Sequence, residues 1–122
     1  MPLEAAEKTR PIVLVTGASH GIGAATARLF AAEGFDVCVN YRSDEAAAAE
    51  VVRACEELGA KAVAARGDVA SPEEVKQVFQ TCDRALGRLS CLVNNAGIAV
   101  AGPLEFLPPD ELRRQLDVNV TG

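Results

Sequence analysis

Short apolar runs alternate along the chain with longer stretches whose apolar residues recur every three or four positions. "IVLVT" (12–16) is β-branched and apolar on both sides, as suits a strand covered on two faces. In the "IGAATARLFAAEG" that follows, Ile22, Ala25, Leu29 and Phe30 fall at helical spacing and Gly34 sits where a C-cap belongs. "DVCVNY" (36–41) predicts a second strand. Ser43 or Asp44 then caps a helix striped by Ala48, Val51, Val52, Cys55 and Leu58 and closed by Gly59. "KAVAAR" (61–66) predicts a third strand. "SPEE" (71–74) is a capping box with Pro72 at the first helical position; Val75, Val78, Phe79, Cys82 and Leu86 form the expected buried face, and Gly87 ends it. "CLVNN" (91–95) is a fourth strand. "LPPDELRRQLDVNVTG" (107–122) reads as one more helix, with Pro109, Asp110 and Glu111 at its start and Leu112, Leu116, Asn119 and Val120 on one face.

Strands separated by helical crossovers predict an α/β fold with a parallel, doubly wound sheet and right-handed connections. Residues 1–10 read as a loose lead-in and 11–122 as a single domain, without internal repeats or linkers. A chain of 122 residues, 49% of them hydrophobic, is long enough for one real core. The net charge of −5 argues against a nucleic-acid or anionic membrane surface, so an anionic ligand requires a local positive site. No apolar run is long enough to span a membrane, and the polar start is unlike a secretory signal. Cys38, Cys55, Cys82 and Cys91 form no CxxC pair and read as reduced core thiols, which favours a cytoplasmic location. His20 is the only histidine and has no partners of metal-ligand spacing, so no metal site is expected.

Chemistry concentrates in "VTGASHGIG" (15–23), where three glycines fall within seven residues at the end of the first strand. A strand running through glycines into a helix makes a phosphate site: the helix N-terminus offers unpaired N–H groups and partial positive charge. Glycines let the backbone approach a diphosphate that side chains would hold off. The GxGxxG spacing is not met, because Thr26 stands where the third glycine would; the pattern is Gly17-xxx-Gly21-x-Gly23.

That pattern resembles the TGxxxGxG motif of the short-chain dehydrogenases/reductases. "NNAG" (94–97) is similar to a second motif of the family, "GDV" (67–69) to its adenine-contacting pair, and "DVNVTG" (117–122) to the stretch holding its helix asparagine. The resemblance implies a Rossmann-like sheet of strand order 3-2-1-4 and a bound nicotinamide dinucleotide. The cofactor would be held by Gly17, Ser19, His20, Gly21, Ile22 and Gly23 of the turn, by Tyr41 and Arg42 after the second strand, and by Asp68 and Val69 after the third. Asn95, Ala96 and Gly97 would line the nicotinamide-ribose side, while Asn94 ties neighbouring strands together.

In NAD sites a carboxylate at the end of the second strand takes the ribose hydroxyls, whereas a 2′-phosphate favours arginine. Here Tyr41 stands at the carboxylate position and Arg42 follows, which points to NADP as the preferred cofactor and NAD as the second candidate. In the family a tyrosine, helped by a lysine one turn later, moves the proton that accompanies hydride transfer; a serine orients the substrate and an asparagine, matched by Asn119, holds a relay water. The only tyrosine is Tyr41, and Lys61 and Lys76 do not stand in Tyr-x-x-x-Lys spacing to it. The reading is therefore a carbonyl/alcohol oxidoreductase represented by its cofactor-binding half, truncated after strand 4 and inactive alone. The alternatives are a non-catalytic nucleotide-binding module and an interaction fragment completed by another chain. Strand 4 is expected to form an exposed edge, and with the final helix it offers a route to association.

Overall fold

The structure is a computed structural model and describes residues 10–95. Four strands and three helices alternate: β1 (Ile12–Val15), α1 (Gly21–Ala32), β2 (Asp36–Tyr41), α2 (Glu45–Glu57), β3 (Ala62–Arg66), α3 (Pro72–Ala85) and β4 (Cys91–Val93). All pairings are parallel and the sheet order is β3-β2-β1-β4, as expected. In register, Val15 faces Val39 of β2 on one side and Val93 of β4 on the other, which brings the C-terminal ends of the three strands together.

The side chains of β1 divide between two cores. Val13 and Val15 pack with Val37, Val39 and residues of α1 and α2 on one face, whereas Ile12 and Leu14 pack with Cys38, Val78 and Cys82 under α3 on the other. This is the physical reason for an uninterrupted apolar strand: alternation would put polar groups into one of the two cores. Each fully buried Val or Leu contributes about 1.5–3 kcal/mol of transfer free energy.

The helix faces match expectation unevenly. Val75, Val78 and Cys82 of α3 and Ala48, Val51 and Cys55 of α2 are buried, but Leu58 is exposed beyond the end of α2. On α1 the expected stripe is wrong. Ile22 is 79% and Leu29 61% exposed, Ala25 is exposed and Phe30 only half-buried, while Gly23, Ala24, Ala27 and Ala31 face the core. The head of α1 lies so near the glycine turn that a side chain at Gly23 would meet the Gly17 carbonyl, so small residues must take the inner face.

Three boundaries also shift. β3 begins at Ala62, because the Lys61 N–H goes to Asp36 Oδ1 (2.9 Å). β4 ends at Val93, because Asn94 and Asn95 leave the ladder to bond the residues that follow β1. Arg10, assigned to the loose lead-in, is pinned: its Nε lies 2.8 Å from Asp36 Oδ1 and its Nη2 donates to the Phe35 carbonyl. Ser71 caps α3 as expected, but the box is not reciprocal. Glu74 Oε1 accepts from the Asp68 N–H (2.8 Å), and the Ser71 N–H donates to the Asp68 carbonyl instead.

The four cysteines are unpaired; Cys38, Cys55 and Cys82 are buried and Cys91 is half-buried. Within the described residues β4 lies at the end of the sheet with Cys91, Leu92 and Val93 half-buried. Residues 96–122 lie outside the description, and with them the expected final helix and the candidate residues Ala96, Gly97 and Asn119.

Candidate functional site: a cleft at the ends of the strands

The site is organised around the turn from β1 into α1. Gly17 (φ +60°) and Gly21 (φ +56°) adopt left-handed backbone that disfavours a side chain, and they reverse the chain tightly enough to aim the head of α1 along the sheet. Gly23 is required for a different reason. A Cβ there would strike the Gly17 carbonyl and come within 2.7 Å of Asn95 Nδ2 and 3.0 Å of Ala18 Cα. The N–H groups of Gly21, Ile22 and Gly23 open the helix and have no acceptor within it, which leaves a positive rim suited to an anion.

Two asparagines hold this turn in place. Asn40, on β2 and only 2% exposed, accepts the Gly17 N–H at 3.1 Å through Oδ1 and donates through Nδ2 to the carbonyls of Ala65 (3.0 Å) and Gly67 (3.1 Å). One carboxamide thus joins the ends of β1, β2 and β3, and the Asn40 carbonyl also accepts the Ala18 N–H. From the other side Asn95 donates to the Gly17 carbonyl at 3.0 Å, and its own N–H donates to Thr16 Oγ1 at 2.9 Å. Thr16 Oγ1 also lies 3.4 Å from Asn94 Oδ1, so Asn94 ties β4 to β1 as expected. The strand-tying role of Asn40 was missed by sequence reasoning. Its one signal is a carboxamide inside the otherwise apolar run "VCVNY".

Beside the turn a hollow of about 140 Å³ is lined by Gly17, Asn40, Arg42, Gly67, Asp68 and Val69, which brings together residues expected from three separate segments. Arg42 is largely exposed, with its Nε 3.7 Å from Asp68 Oδ2. At that length and exposure the pair holds the guanidinium only weakly. Asp68 also serves the opening turn of α3, its Oδ1 accepting from the Ala70 N–H at 2.9 Å. Gly67 must be glycine because a Cβ would run into Val78 Cγ2 at 2.5 Å, and its N–H donates to the Tyr41 carbonyl.

Tyr41 itself is 7% exposed and belongs to the core between the sheet, α1 and α2. A buried ring there leaves Arg42 as the first accessible side chain after β2. Of the remaining turn candidates, Ser19 is half-buried, and His20 and Ile22 are exposed. His20 Nε2 lies 2.9 Å from Asp44 Oδ2, and Asp44 Oδ1 caps α2 by accepting the Ala47 N–H at 3.0 Å. These two contacts, the Ala47 N–H foremost, hold the Asp44 carboxyl below its usual range. Among the described residues no cluster of metal-ligating groups occurs, and no helix is long and apolar enough to cross a membrane.

A fold of this order with a glycine turn at the reversal of strand order binds nucleotides in the crevice beyond the strand ends. Comparison with known proteins agrees. Residues 11–122 match the family model for short chain dehydrogenase, and the chain belongs to that family. It is 49% identical over 110 residues to 3beta-hydroxysteroid dehydrogenase 1 of Eggerthella lenta, covering 90% of this chain and 42% of the relative. It is 40% identical over 114 residues to a 3-oxoacyl-[acyl-carrier-protein] reductase of Synechocystis, covering 93% of this chain and 46% of that protein. Among solved structures, a short chain dehydrogenase from Burkholderia cenocepacia in complex with NADP superposes with a TM-score of 0.69 at 43% identity, over 91% of this chain and 45% of that one. A metagenomic blue fluorescent protein in complex with NADPH gives a TM-score of 0.69 at 39% identity, over 91% of this chain and 46% of that one. The chain spans less than half the length of the relatives it matches.

Proposed function

We propose that this chain forms the cofactor-binding half of an NADP(H)-dependent short-chain oxidoreductase acting on a carbonyl/alcohol pair, and that its 122 residues bind cofactor without turning substrate over. The observation that carries the cofactor choice is the end of β2. With Tyr41 buried in the core, the first accessible side chain after β2 is the Arg42 guanidinium, where an NAD site would carry a carboxylate at the end of that strand. A planar, permanently charged fork suits a phosphomonoester, whereas a carboxylate there would repel it.

The residues present fit a dinucleotide. The close backbone approach at Gly17 and Gly23 and the N–H groups heading α1 suit the diphosphate. Arg42 suits a ribose 2′-phosphate; Asp68 and Val69 suit the adenine, and Asn95 suits the ribose next to the nicotinamide. When bound, the nicotinamide supplies or accepts the hydride. The proton that must move with it requires a Tyr-x-x-x-Lys pair, which is not found in these 122 residues.

The test is to titrate the purified chain with NADPH and NADH, following nicotinamide fluorescence and thermal unfolding together. The reading requires saturable binding that favours NADPH, a melting temperature raised by mass action, and no turnover of ketones or secondary alcohols. Equal affinity for the two cofactors would remove the assignment to Arg42, and binding of neither would remove the nucleotide site.

A further inference from the structure

Asp68 follows β3 in a turn held by three hydrogen bonds of its own groups. Its Oδ1 accepts the Ala70 N–H and its carbonyl accepts the Ser71 N–H, both at 2.9 Å. These two bonds lie inside the turn and move with it. The third does not. Glu74, in the first turn of α3, reaches six positions back, and its Oε1 accepts the Asp68 N–H at 2.8 Å. An acidic residue at this helical position ordinarily bonds the N–H of the capping residue, but the Ser71 N–H is already occupied by Asp68. The helix that carries Glu74 is fixed in the core by Val75 and Val78, each 2% exposed. Gly67 makes the reach possible. A Cβ there would come within 2.5 Å of Val78 Cγ2 and 3.1 Å of the Glu74 carbonyl, so the head of α3 lies directly against the end of β3. With Oδ1 engaged, Oδ2 is the Asp68 oxygen left for a ligand, and the residue lines the hollow beside the glycine turn.

We propose that Glu74 is a positioning residue for base recognition: by anchoring the Asp68 N–H to α3 it aims Oδ2 at the exocyclic amino group of adenine, and so sets how strongly the cleft prefers adenine to hypoxanthine. The proposal rests on the nucleotide-site reading above, in which Asp68 suits the adenine. The adenine amino group donates a hydrogen bond. Hypoxanthine carries a carbonyl at the same ring position, an acceptor that a carboxylate repels. To tell donor from acceptor the carboxylate must be held in place. One that is free to turn away loses its bond to the first base and escapes repulsion by the second. Arg42, with its Nε 3.7 Å from Oδ2, offers that carboxylate another partner, and the bond to Glu74 resists a turn toward it. Glu74 acts through Asp68 alone.

The experiment is calorimetric titration of the 122-residue chain with NADP+ and with its hypoxanthine analogue, for wild type, Glu74→Ala and Glu74→Gln. The readout is the ratio of the two affinities, in which losses of folding and the shared 2′-phosphate cancel. Wild type should favour NADP+ by about tenfold, the size of one hydrogen bond exchanged for a mismatched contact. Glu74→Ala should lower that ratio by about fivefold. Glu74→Gln, whose carboxamide oxygen still accepts the Asp68 N–H, should keep it. A helix merely weakened at its start would reduce both affinities together and leave the ratio alone. An unchanged ratio in Glu74→Ala, or an equally low one in Glu74→Gln, overturns the proposal and leaves the nucleotide site standing. A wild type indifferent to the base overturns the Asp68 contact and the proposal with it. Binding of neither dinucleotide overturns the nucleotide site as well.

Discussion

Asn40 Oδ1 accepts the Gly17 N–H at 3.1 Å, fixing the first glycine of the turn between β1 and α1 to a buried strand 23 positions away. The bond occupies one N–H of the turn, whereas those heading α1 have no acceptor within the helix. Because Nδ2 of the same residue donates to the Ala65 and Gly67 carbonyls, the turn is tied through one side chain to the Asp68 side of the cleft.

Asn40→Leu should therefore cost stability and binding together. It leaves one buried donor and two carbonyls without their partner, at about 1–3 kcal/mol for each group that cannot reach water. Urea unfolding should show a loss of at least about 2 kcal/mol on that scale, with NADPH affinity falling in parallel. An unchanged denaturation midpoint would count against the three-strand tie.

Gly23→Ala tests close approach. The added methyl meets backbone at Gly17 and Ala18, and the Asn95 carboxamide at 2.7 Å, so α1 must lift away from the turn. A cost of about 1–3 kcal/mol is expected, with cofactor binding lost beyond what the instability explains. Gly34→Ala is the control. At φ +98° with no atom within 4 Å of the new Cβ, it carries backbone strain alone, and cofactor affinity should survive.

Arg42→Ala should erase the preference for NADPH over NADH. A hydrogen bond to a charged group contributes about 1.5–3 kcal/mol, so NADPH affinity should fall roughly ten- to a hundredfold while NADH is little affected. Fluorescence titration with both cofactors reads it directly.

Asp44 gives stability a definite pH dependence. Its carboxyl is held below the usual range by the Ala47 N–H and then by His20, so the folded chain takes up this proton less readily than the unfolded one. The contribution is complete above the unfolded value, about 3.9, and is lost as pH falls through the lower folded value. The melting temperatures of wild type and Asp44→Asn should differ at neutral pH and converge at the acid pH that protonates the carboxyl in the folded chain. A gap that persists at that pH would show that the cap, not the charge, separates them.

The thiols should differ in reactivity. Cys38, hydrogen-bonded to Cys82 and shut off from water, is held well above a thiol's usual range, and burial raises Cys55. Mass mapping after brief iodoacetamide treatment should find label on half-buried Cys91 first, with Cys38 and Cys55 protected until the chain unfolds. Early label at Cys38 would contradict the packing of β2 against α3.

The order of elements, the parallel sheet and the glycine turn were legible because each depends on neighbours in sequence. Apolar runs demand two covered faces, periodic runs demand one, and Gly17 and Gly21 serve local backbone conformation. The buried face of α1 was not legible. Periodicity ranks Ile22 and Leu29 above Ala24, Ala27 and Ala31, since hydrophobicity says nothing of how near a helix must lie to its neighbours. Asp44 was legible as a cap of α2, its Ala47 partner being three positions on. The role of Asn40 and the bond from Asp44 to His20 were hidden for a related reason: those partners lie 23 to 27 positions away, so neither spacing nor composition records the bonds.

By itself the sequence determined the alternation of strands and helices, the glycine turn and the family resemblance, all of which rest on local pattern. Only the tertiary structure decided that Tyr41 turns into the core and leaves Arg42 facing the cleft, that a buried asparagine binds three strand ends together, and that His20 answers to Asp44. Those outcomes follow from parallel packing, which brings the carboxyl ends of β1, β2 and β3 side by side and makes neighbours of residues the chain keeps apart.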